Sequence, residues 1–192
     1  MLDCGCGAGD NARILNSAGW SVTGITLSNR EAQLAQSFCE EVIVADLEHG
    51  IPVTKRGRFD VILMAHVLEH LTNPELLLTE AKERLGKQGI LAVALPNVLN
   101  YRYRLQFLLG SFRYEPDGIM DSTHLRFYTY ETGAELLVAN GYEILKRQAG
   151  GFFPQRPLRR VFPRLTRALD DLAAGTFPGV FGWQLLYLAR PR

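Results

Sequence analysis

The sequence predicts an α/β fold built around a doubly wound, mostly parallel β-sheet. Short apolar runs typical of buried strands alternate along the chain with segments that have helical periodicity. A glycine-rich turn, LDCGCGAG from Leu2 to Gly9, stands where a first strand would pass into a first helix. Strand and helix units in this alternation pack as a parallel sheet joined by right-handed crossovers.

The elements follow one another in the order expected for such a sheet. Strands are predicted at residues 22–25, 42–45, 59–65, 90–95, 142–146 and 183–189. Helices are predicted at residues 30–38, 74–85 and 131–140. Asn73 and Pro74 are typical of a helix start, and Gly86 and Gly141 are typical of helix ends.

Two segments lack a clean period and are predicted to be irregular inserts in a single domain spanning residues 1–192. The first insert, about 98–130, is rich in Tyr, Phe, Arg and Gly, and the second, about 149–182, contains four prolines. The first strand is reduced to Met1–Cys4, so we expect that strand and any helix before it to be shortened or missing, as in an N-terminally truncated copy.

Composition excludes several classes of protein. The formal net charge of +1 gives no general attraction to nucleic acid, so we expect no nucleic-acid partner. Three cysteines, Cys4, Cys6 and Cys39, favour free thiols in a reducing compartment over a disulfide framework. The chain lacks an 18-residue apolar run and opens without a signal-peptide pattern, and we therefore predict a cytoplasmic protein.

The glycine turn is the strongest functional signal. Glycines allow a sharp turn and a close approach of the backbone to a ligand, although a tight turn without any ligand is the simpler alternative. The segment resembles the first motif of class I S-adenosylmethionine-dependent methyltransferases, D-x-G-x-G-x-G, and the resemblance extends over nearly the whole chain. It implies a seven-stranded Rossmann-like sheet with S-adenosylmethionine as cofactor. It also implies that the amino-acid end of this cofactor is held by Asp3, Gly5, Cys6, Gly7 and Gly9.

Three further segments match this family in order: VTGITLS, VADLEHG and FDVILMAHVLEHL. By resemblance, the remaining cofactor contacts are Thr26, Leu27, Asp46, Leu47, Ala65 and His66. Most family members have an acidic residue beside the ribose, where this chain has Thr26. The T-L-S version resembles cyclopropane-fatty-acid synthases, while the alternative is that Thr26 is only a β-branched strand residue.

The sequence HVLEH offers a possible metal site. In a helical turn, His66, Glu69 and His70 would share one face. The stretch partly resembles the E-x-x-E-H motif that binds metal in small-RNA 2′-O-methyltransferases, but His66 replaces the first glutamate. The alternative is that Glu69 and His70 brace the loop before the helix at Pro74, and we predict no metal.

The first insert suggests an acceptor-binding lid. The segments Leu95–Tyr114 and Asp117–Thr129 resemble inserts of bacterial methyltransferases associated with cell-surface polysaccharide pathways. His124, flanked by Asp121 and Arg126, is the candidate catalytic base, because a neutral imidazole suits that role near pH 7. Alternatively, Asp121 and His124 only order the lid.

Residues 152–167 interleave five arginines with aromatic side chains. They could make peripheral membrane contact or grip a phosphate-bearing lipid-linked sugar, or could simply form a solvated cap over the cleft.

The resemblance as a whole predicts an enzyme, an S-adenosylmethionine-dependent methyltransferase. Its acceptor would be a small molecule or glycan, methylated on oxygen of a sugar or other hydroxylated metabolite. The alternatives are a non-catalytic S-adenosylmethionine-binding domain, a degenerate methyltransferase, or a lipid-modifying enzyme.

Overall fold

The computed structural model describes residues 1–55, 57–151 and 160–192. Its seven strands are β1 Leu2–Cys4, β2 Thr23–Thr26, β3 Glu41–Val44, β4 Phe59–Ala65, β5 Leu85–Pro96, β6 Tyr142–Gly151 and β7 Gly182–Pro191. They form one sheet in the order β3-β2-β1-β4-β5-β7-β6. The strand β7 runs antiparallel to both of its neighbours, and the other pairs are parallel. The predicted α/β fold with a mostly parallel seven-stranded sheet is confirmed.

Helices connect these strands. They are α1 Asp10–Ser17, α2 Asn29–Ala35, α3 Pro74–Arg84, α4 Tyr101–Leu108, α5 Tyr130–Ala139, α6 Pro163–Thr176 and α7 Pro178–Phe181. Single 3₁₀ turns cover Leu47–His49 and Leu68–His70. Within the described residues, none of these helices has the length and apolar character needed to cross a bilayer.

The start of α3 follows the prediction, since the Asn73 side chain accepts a hydrogen bond from the backbone N–H of Leu76 and Pro74 begins the helix. Its end does not: the helix stops at Arg84, and Gly86 already belongs to β5.

Both predicted irregular inserts contain regular structure. The first insert includes α4, which buries Tyr103 but leaves Leu105 and Leu108 exposed, so its apolar residues do not form one buried stripe. In the second insert, β6 continues to Gly151, and the two prolines among the described residues begin helices rather than break them. Pro163 and Pro178 each stand in the first turn of a helix, where a missing backbone N–H costs nothing.

The sheet is covered on both faces, as the alternation of side chains along β4 demonstrates. Ile62 and Met64 point into the main core, where they join residues of α3 and α5. Val61 and Leu63 pack against a second cluster that contains Ala12 of α1. Because successive strand residues point to opposite faces, both faces of β4 are buried. The parallel pairing of β4 with β1 places the ends of these two strands side by side.

Candidate active site

The carboxyl ends of β1 to β4 meet at one edge of the sheet because these strands are parallel. The chain runs outward from β1 to β3 and then returns to β4 on the other side of β1. Ligands of open α/β sheets bind at such a switch point, beyond the carboxyl ends of the strands. The loops after these four strands, together with the strand ends themselves, carry all the cofactor residues expected from the sequence.

Asp3 is a buried carboxylate in the central strand β1. Its side chain is fully buried, and neither carboxylate oxygen has a hydrogen-bond partner among the described residues. Burial raises the pKa of Asp3 from 3.8 to about 6. A buried carboxylate is costly unless a cation or hydrogen-bond donors face it, so Asp3 is suited to a positively charged ligand.

The glycine turn after β1 needs glycine at two positions for packing. Gly5 and Gly9 have φ values of 79° and 90°, in the left-handed region. A Cβ on Gly5 would lie 2.6 Å from Cγ2 of Val67, and one on Gly9 would lie 3.0 Å from Cα of Ala35. A Cβ on Gly7 would meet nothing within 4 Å. The turn therefore packs tightly against Val67 and Ala35 at Gly5 and Gly9, while the space beside Gly7 stays open to a ligand.

Cys6 lies buried within the turn, and its sulfur and that of Cys39 face the same backbone position, Gly24. The hydrogen bond between the two thiols raises the pKa of Cys6 and lowers that of Cys39. All three cysteines are free, in agreement with the expectation from the sequence.

An acidic side chain that the sequence reasoning missed stands at the end of β2. The hydroxyl of Thr26 donates a 2.7 Å hydrogen bond to Oε2 of Glu31, in the first turn of α2. The helix begins because the Ser28 side chain accepts from the Glu31 backbone N–H. A carboxylate is thus present near the position where most family members have one, although it comes from five residues further along.

The loop after β3 places Asp46 at the sheet edge, where it also has a structural role. Its Oδ1 accepts a 2.9 Å hydrogen bond from the backbone N–H of Glu48 and so caps the 3₁₀ turn. Leu47 packs partly against the main core, whereas Leu27, after β2, is 70% exposed. Glu48 is tied to the backbone and hydroxyl of Thr72 by two 2.7 Å hydrogen bonds, which lower its pKa.

Ala65 ends β4, and His66 follows it with a strained backbone. The φ of His66 is 57°, and it is the one described residue other than glycine with a positive φ. Its Nδ1 lies 3.2 Å from Oε1 of Glu69 and its Nε2 lies 2.9 Å from Nε2 of Gln184. With Gln184 donating to Nε2, the Nδ1 proton points to Glu69. Strain of this kind persists where surrounding contacts hold it, often at functional sites.

A second polar cluster joins this edge to the lid. Glu69 is fully buried, its Oε2 has no partner among the described residues, and its Oε1 lies 4.0 Å from Nε2 of His124. His124 is 7% exposed, and its ring lies 4.7 Å from that of His70, centroid to centroid. The structure thus brings together Glu69, His70 and His124, a grouping that the sequence spacing could not reveal because His124 is 54 residues from His70 in the chain.

The lid is anchored to the loop after β4 by backbone hydrogen bonds. The carbonyl of Glu69 accepts from the backbone N–H groups of Leu125 and Arg126. The guanidinium of Arg126 donates to the carbonyls of Leu71 and Thr72. Asp121 accepts two 2.7 Å hydrogen bonds from Thr123, which lower the pKa of its carboxyl group. Asp121 and Arg126 therefore order the lid and do not contact the His124 ring through hydrogen bonds.

Part of the segment suggested for membrane contact, residues 152–159, lies outside the described residues. Just beyond it, Val161, Phe162 and Leu165 are more than half exposed at the start of α6. Peripheral membrane contact through residues 152–167 stays a prediction.

Comparisons with known proteins agree with this geometry. A family model described as "Methyltransferase domain" matches residues 1–147. The chain is 28% identical over 114 residues to a ubiquinone biosynthesis O-methyltransferase of Glaesserella parasuis, which covers 55% of this chain and 48% of that protein. It is 30% identical over 165 residues to one of Azorhizobium caulinodans, covering 81% of this chain and 63% of that protein. The chain thus spans about half the length of the first of these relatives.

A solved structure from Thermotoga maritima, described as an S-adenosylmethionine-dependent methyltransferase and possible histamine N-methyltransferase, has the same fold. It superposes with a TM-score of 0.68 at 19% identity, covering 100% of this chain and 81% of that one. The family model covers most of the chain, and the sheet order and the glycine turn fit it. The chain belongs to the methyltransferase-domain family, the class I S-adenosylmethionine-dependent methyltransferases.

Proposed function

We propose that this protein transfers a methyl group from S-adenosylmethionine to oxygen of a small hydroxylated acceptor. The observation that carries the proposal is the buried Asp3 carboxylate, whose two oxygens have no partner among the described residues and which lies directly before an open glycine turn. A ligand with an ammonium group would supply the positively charged hydrogen-bond donor that this carboxylate needs.

The residues present fit the amino-acid end of S-adenosylmethionine. Asp3 would pair with the ammonium group. The open side of the turn around Gly7 leaves room for the ligand, since a Cβ there would touch nothing. Backbone groups of Gly5, Cys6 and Gly9 would line this end of the site.

The other end of the ligand fits the loops after β2, β3 and β4. The Glu31 carboxylate, oriented by the Thr26 hydroxyl, would accept hydrogen bonds from the ribose hydroxyl groups. At the adenine, Asp46 would accept from the amino group with its second oxygen while capping the turn with its first. The apolar contacts of this end would come from Leu27, Leu47, Ala65 and the strained His66.

S-adenosylmethionine, when bound, supplies an electrophilic methyl group on a sulfonium. The protein positions the acceptor hydroxyl in line with the C–S bond and excludes water. The methyl carbon would pass from sulfur to the acceptor oxygen as the C–S bond breaks, and S-adenosylhomocysteine would be the product. His124 is the acceptor-side residue: its Nδ1 lies 3.0 Å from the Ile119 carbonyl and donates to it, so the Nε2 lone pair is free to take the hydroxyl proton.

The names of the relatives support oxygen as the methylated atom, and the aromatic lid supports a ring-shaped acceptor. Phe112 stacks on Phe107 at 5.4 Å and meets Tyr114 and Phe127 edge-on or nearly so. Such ring faces suit a phenol or a sugar, the latter as expected from the resemblance to polysaccharide-pathway enzymes. Three free thiols support a reducing, cytoplasmic location.

The test has two steps. Calorimetry with S-adenosylhomocysteine should show one binding site. Mass spectrometry should then detect a gain of one methylene mass, about 14 Da, on members of an acceptor panel of catechols and nucleotide sugars. Matched amines in which an amino group replaces the hydroxyl serve as the control for oxygen specificity. Absence of binding would refute the cofactor site, and methylation of the amines alone would refute O-methylation.

A further inference from the structure

We propose that Cys6 and Cys39 form a reversible disulfide bond when the protein meets an oxidant, and that this bond weakens cofactor binding at the glycine turn. Cys6 lies in the turn after β1, and Cys39 lies between α2 and β3. Both are free thiols in the structure. The effect on the cofactor rests on the proposed function, whereas the bond itself follows from the packing of the two side chains.

The two sulfur atoms meet over the same glycine of β2. A Cβ on Gly24 would lie 2.7 Å from Sγ of Cys6 and 3.2 Å from Sγ of Cys39. The two sulfurs are therefore no further apart than the sum of these distances. Neighbouring sulfurs of this kind can approach to a bond length of about 2.05 Å mainly by rotation of their side chains.

The residue at position 24 is a glycine for reasons of space. Gly24 lies in a regular part of β2, paired with Asp3 of β1 and Val42 of β3, and its φ is not positive. Its backbone therefore does not require glycine. A Cβ there would press into both sulfurs, because 2.7 Å is well below an ordinary van der Waals contact. The missing side chain thus leaves the space in which the two thiols face each other.

The two thiols differ in the way that disulfide formation requires. Cys39 is partly exposed, so an oxidant can reach it, whereas Cys6 is buried. The hydrogen bond between them lowers the pKa of Cys39 and raises that of Cys6. An accessible thiol of low pKa beside a second, resolving thiol is typical of redox-sensitive cysteines. Cys4 is fully buried in the main core, away from the second cluster against which Cys39 packs.

Hydrogen peroxide would serve as the oxidant. The Cys39 thiolate attacks one peroxide oxygen, the O–O bond breaks, and the released hydroxide takes up a proton to form water, so that Cys39 becomes a sulfenic acid. The Cys6 sulfur then attacks the Cys39 sulfur. The S–S bond forms as the S–O bond breaks, and the hydroxide leaves as a second water with the Cys6 proton. Two thiols are oxidised by two electrons in all, and one peroxide is reduced to two waters.

The bond would tie the glycine turn to the segment that follows α2. Cys6 directly precedes Gly7, beside which the space for the ligand lies. Gly9 already packs closely against Ala35, so the turn cannot give way on that side. Movement of Cys6 toward Cys39 would therefore change the backbone around Gly7. We expect the oxidised protein to bind S-adenosylhomocysteine at least about tenfold more weakly than the reduced protein.

The first experiment locates the bond. The protein is treated with hydrogen peroxide, remaining thiols are blocked, and tryptic peptides are analysed by mass spectrometry. Trypsin leaves Cys4 and Cys6 in one peptide, residues 1–13, and Cys39 in another, residues 31–55. We expect a cross-link between these peptides that dithiothreitol reverses, that persists in the control variant Cys4→Ala and that is lost in Cys39→Ser. Should Cys4→Ala fail to fold, fragmentation of the cross-linked peptide between positions 4 and 6 makes the same distinction. No cross-link, or one through Cys4, would overturn the proposal.

The second experiment measures the consequence by calorimetry with S-adenosylhomocysteine. Peroxide treatment should weaken binding to the wild type and leave the affinity of Cys39→Ser unchanged. By linkage, saturating S-adenosylhomocysteine should shift the thiol–disulfide equilibrium in a glutathione buffer toward the thiols by the same factor, and a tenfold shift is about 30 mV. Equal affinities of the oxidised and reduced wild type would overturn the effect on the cofactor. Failure of the reduced protein to bind would instead refute the proposed function, while the cross-link would stand or fall on the first experiment.

Discussion

Replacing Asp3 by asparagine should make the free protein more stable while weakening cofactor binding. Asp3 is fully buried, and its pKa is raised from 3.8 to about 6 by burial. The folded state therefore holds the proton more tightly than the unfolded chain. The stability that this group contributes is present in full below about pH 4 and is lost as the pH rises through about 6.

The size of the effect follows from the pKa difference. A shift of about two pKa units corresponds to about 3 kcal/mol between the protonated and ionised forms. The asparagine side chain carries no charge at any pH, so Asp3→Asn should raise the free energy of unfolding by about 1–3 kcal/mol at pH 8 and by almost nothing at pH 4. The introduced amide would remain buried without an obvious partner, which accounts for the lower end of this range.

The same substitution should weaken cofactor binding although it stabilises the free protein. A charge-assisted hydrogen bond contributes about 1.5–3 kcal/mol, so S-adenosylhomocysteine should bind Asp3→Asn about 10–100-fold more weakly at pH 7.5. In the wild type, the Asp3 proton must leave before the ammonium binds. With a pKa of about 6, affinity should fall about tenfold between pH 7 and pH 5, and Asp3→Asn should lose this dependence.

The assay pairs urea unfolding with calorimetry across this pH range. Asp60→Asn makes the same charge change at an exposed position of β4 and should alter neither quantity appreciably. A lower free energy of unfolding for Asp3→Asn than for the wild type at pH 8 would contradict the destabilising role of the ionised Asp3. Wild-type affinity for S-adenosylhomocysteine with wild-type pH dependence in this variant would contradict the pairing of Asp3 with the ammonium group.

Two further predictions concern the same edge of the sheet. Gly5→Ala should lower the free energy of unfolding by about 1–3 kcal/mol more than Gly7→Ala. Both substitutions add a Cβ at positive φ, but only the Cβ at position 5 would collide with Val67. Equal losses of stability in urea unfolding would contradict this prediction. Glu31→Ala should weaken S-adenosylhomocysteine binding by about 10–100-fold and Thr26→Val only several-fold, because under the proposed function the carboxylate contacts the ribose and the Thr26 hydroxyl only orients that carboxylate. Calorimetry in which Thr26→Val has the larger effect would show that the roles are reversed.

The parallel core could be predicted from the sequence because burial dominates there. Phe59–Ala65 is apolar on both faces apart from one aspartate, and β4 has those same bounds in the structure. The lid and α6 could not be predicted in this way. Leu165, Leu169 and Leu172 of α6 are about half exposed or more, while Thr166 and Asp170 are buried. Periodicity identifies a helix when its apolar face is the buried one, and α6 reverses that relation.

In the site as well, residues within one short segment could be predicted from the sequence, whereas contacts between distant segments could not. Asp3 and the glycines could be found because one short segment carries them. Glu31 was missed because its carboxylate reaches the end of β2 from α2, and the Thr26 hydroxyl reveals this only through a hydrogen bond. His124 was identified as a residue of interest, but its partners Glu69 and His70 lie before α3, and only the fold brings them together.

The two buried carboxylates divide the proposed chemistry between them. Asp3 and Glu69 are both fully buried with unpartnered oxygens among the described residues; Asp3 lies in β1, and Glu69 follows the adjacent strand β4. A folded protein tolerates such groups where a ligand later supplies the missing charge. The edge of the sheet therefore has two buried carboxylates with oxygens that lack a hydrogen-bond partner among the described residues. Under the proposed function, Asp3 would pair with the ammonium of the methyl donor, whereas Glu69 lies 4.0 Å from Nε2 of His124, the acceptor-side residue. The donor and the acceptor would thus each meet a buried acidic side chain at the same edge of the sheet.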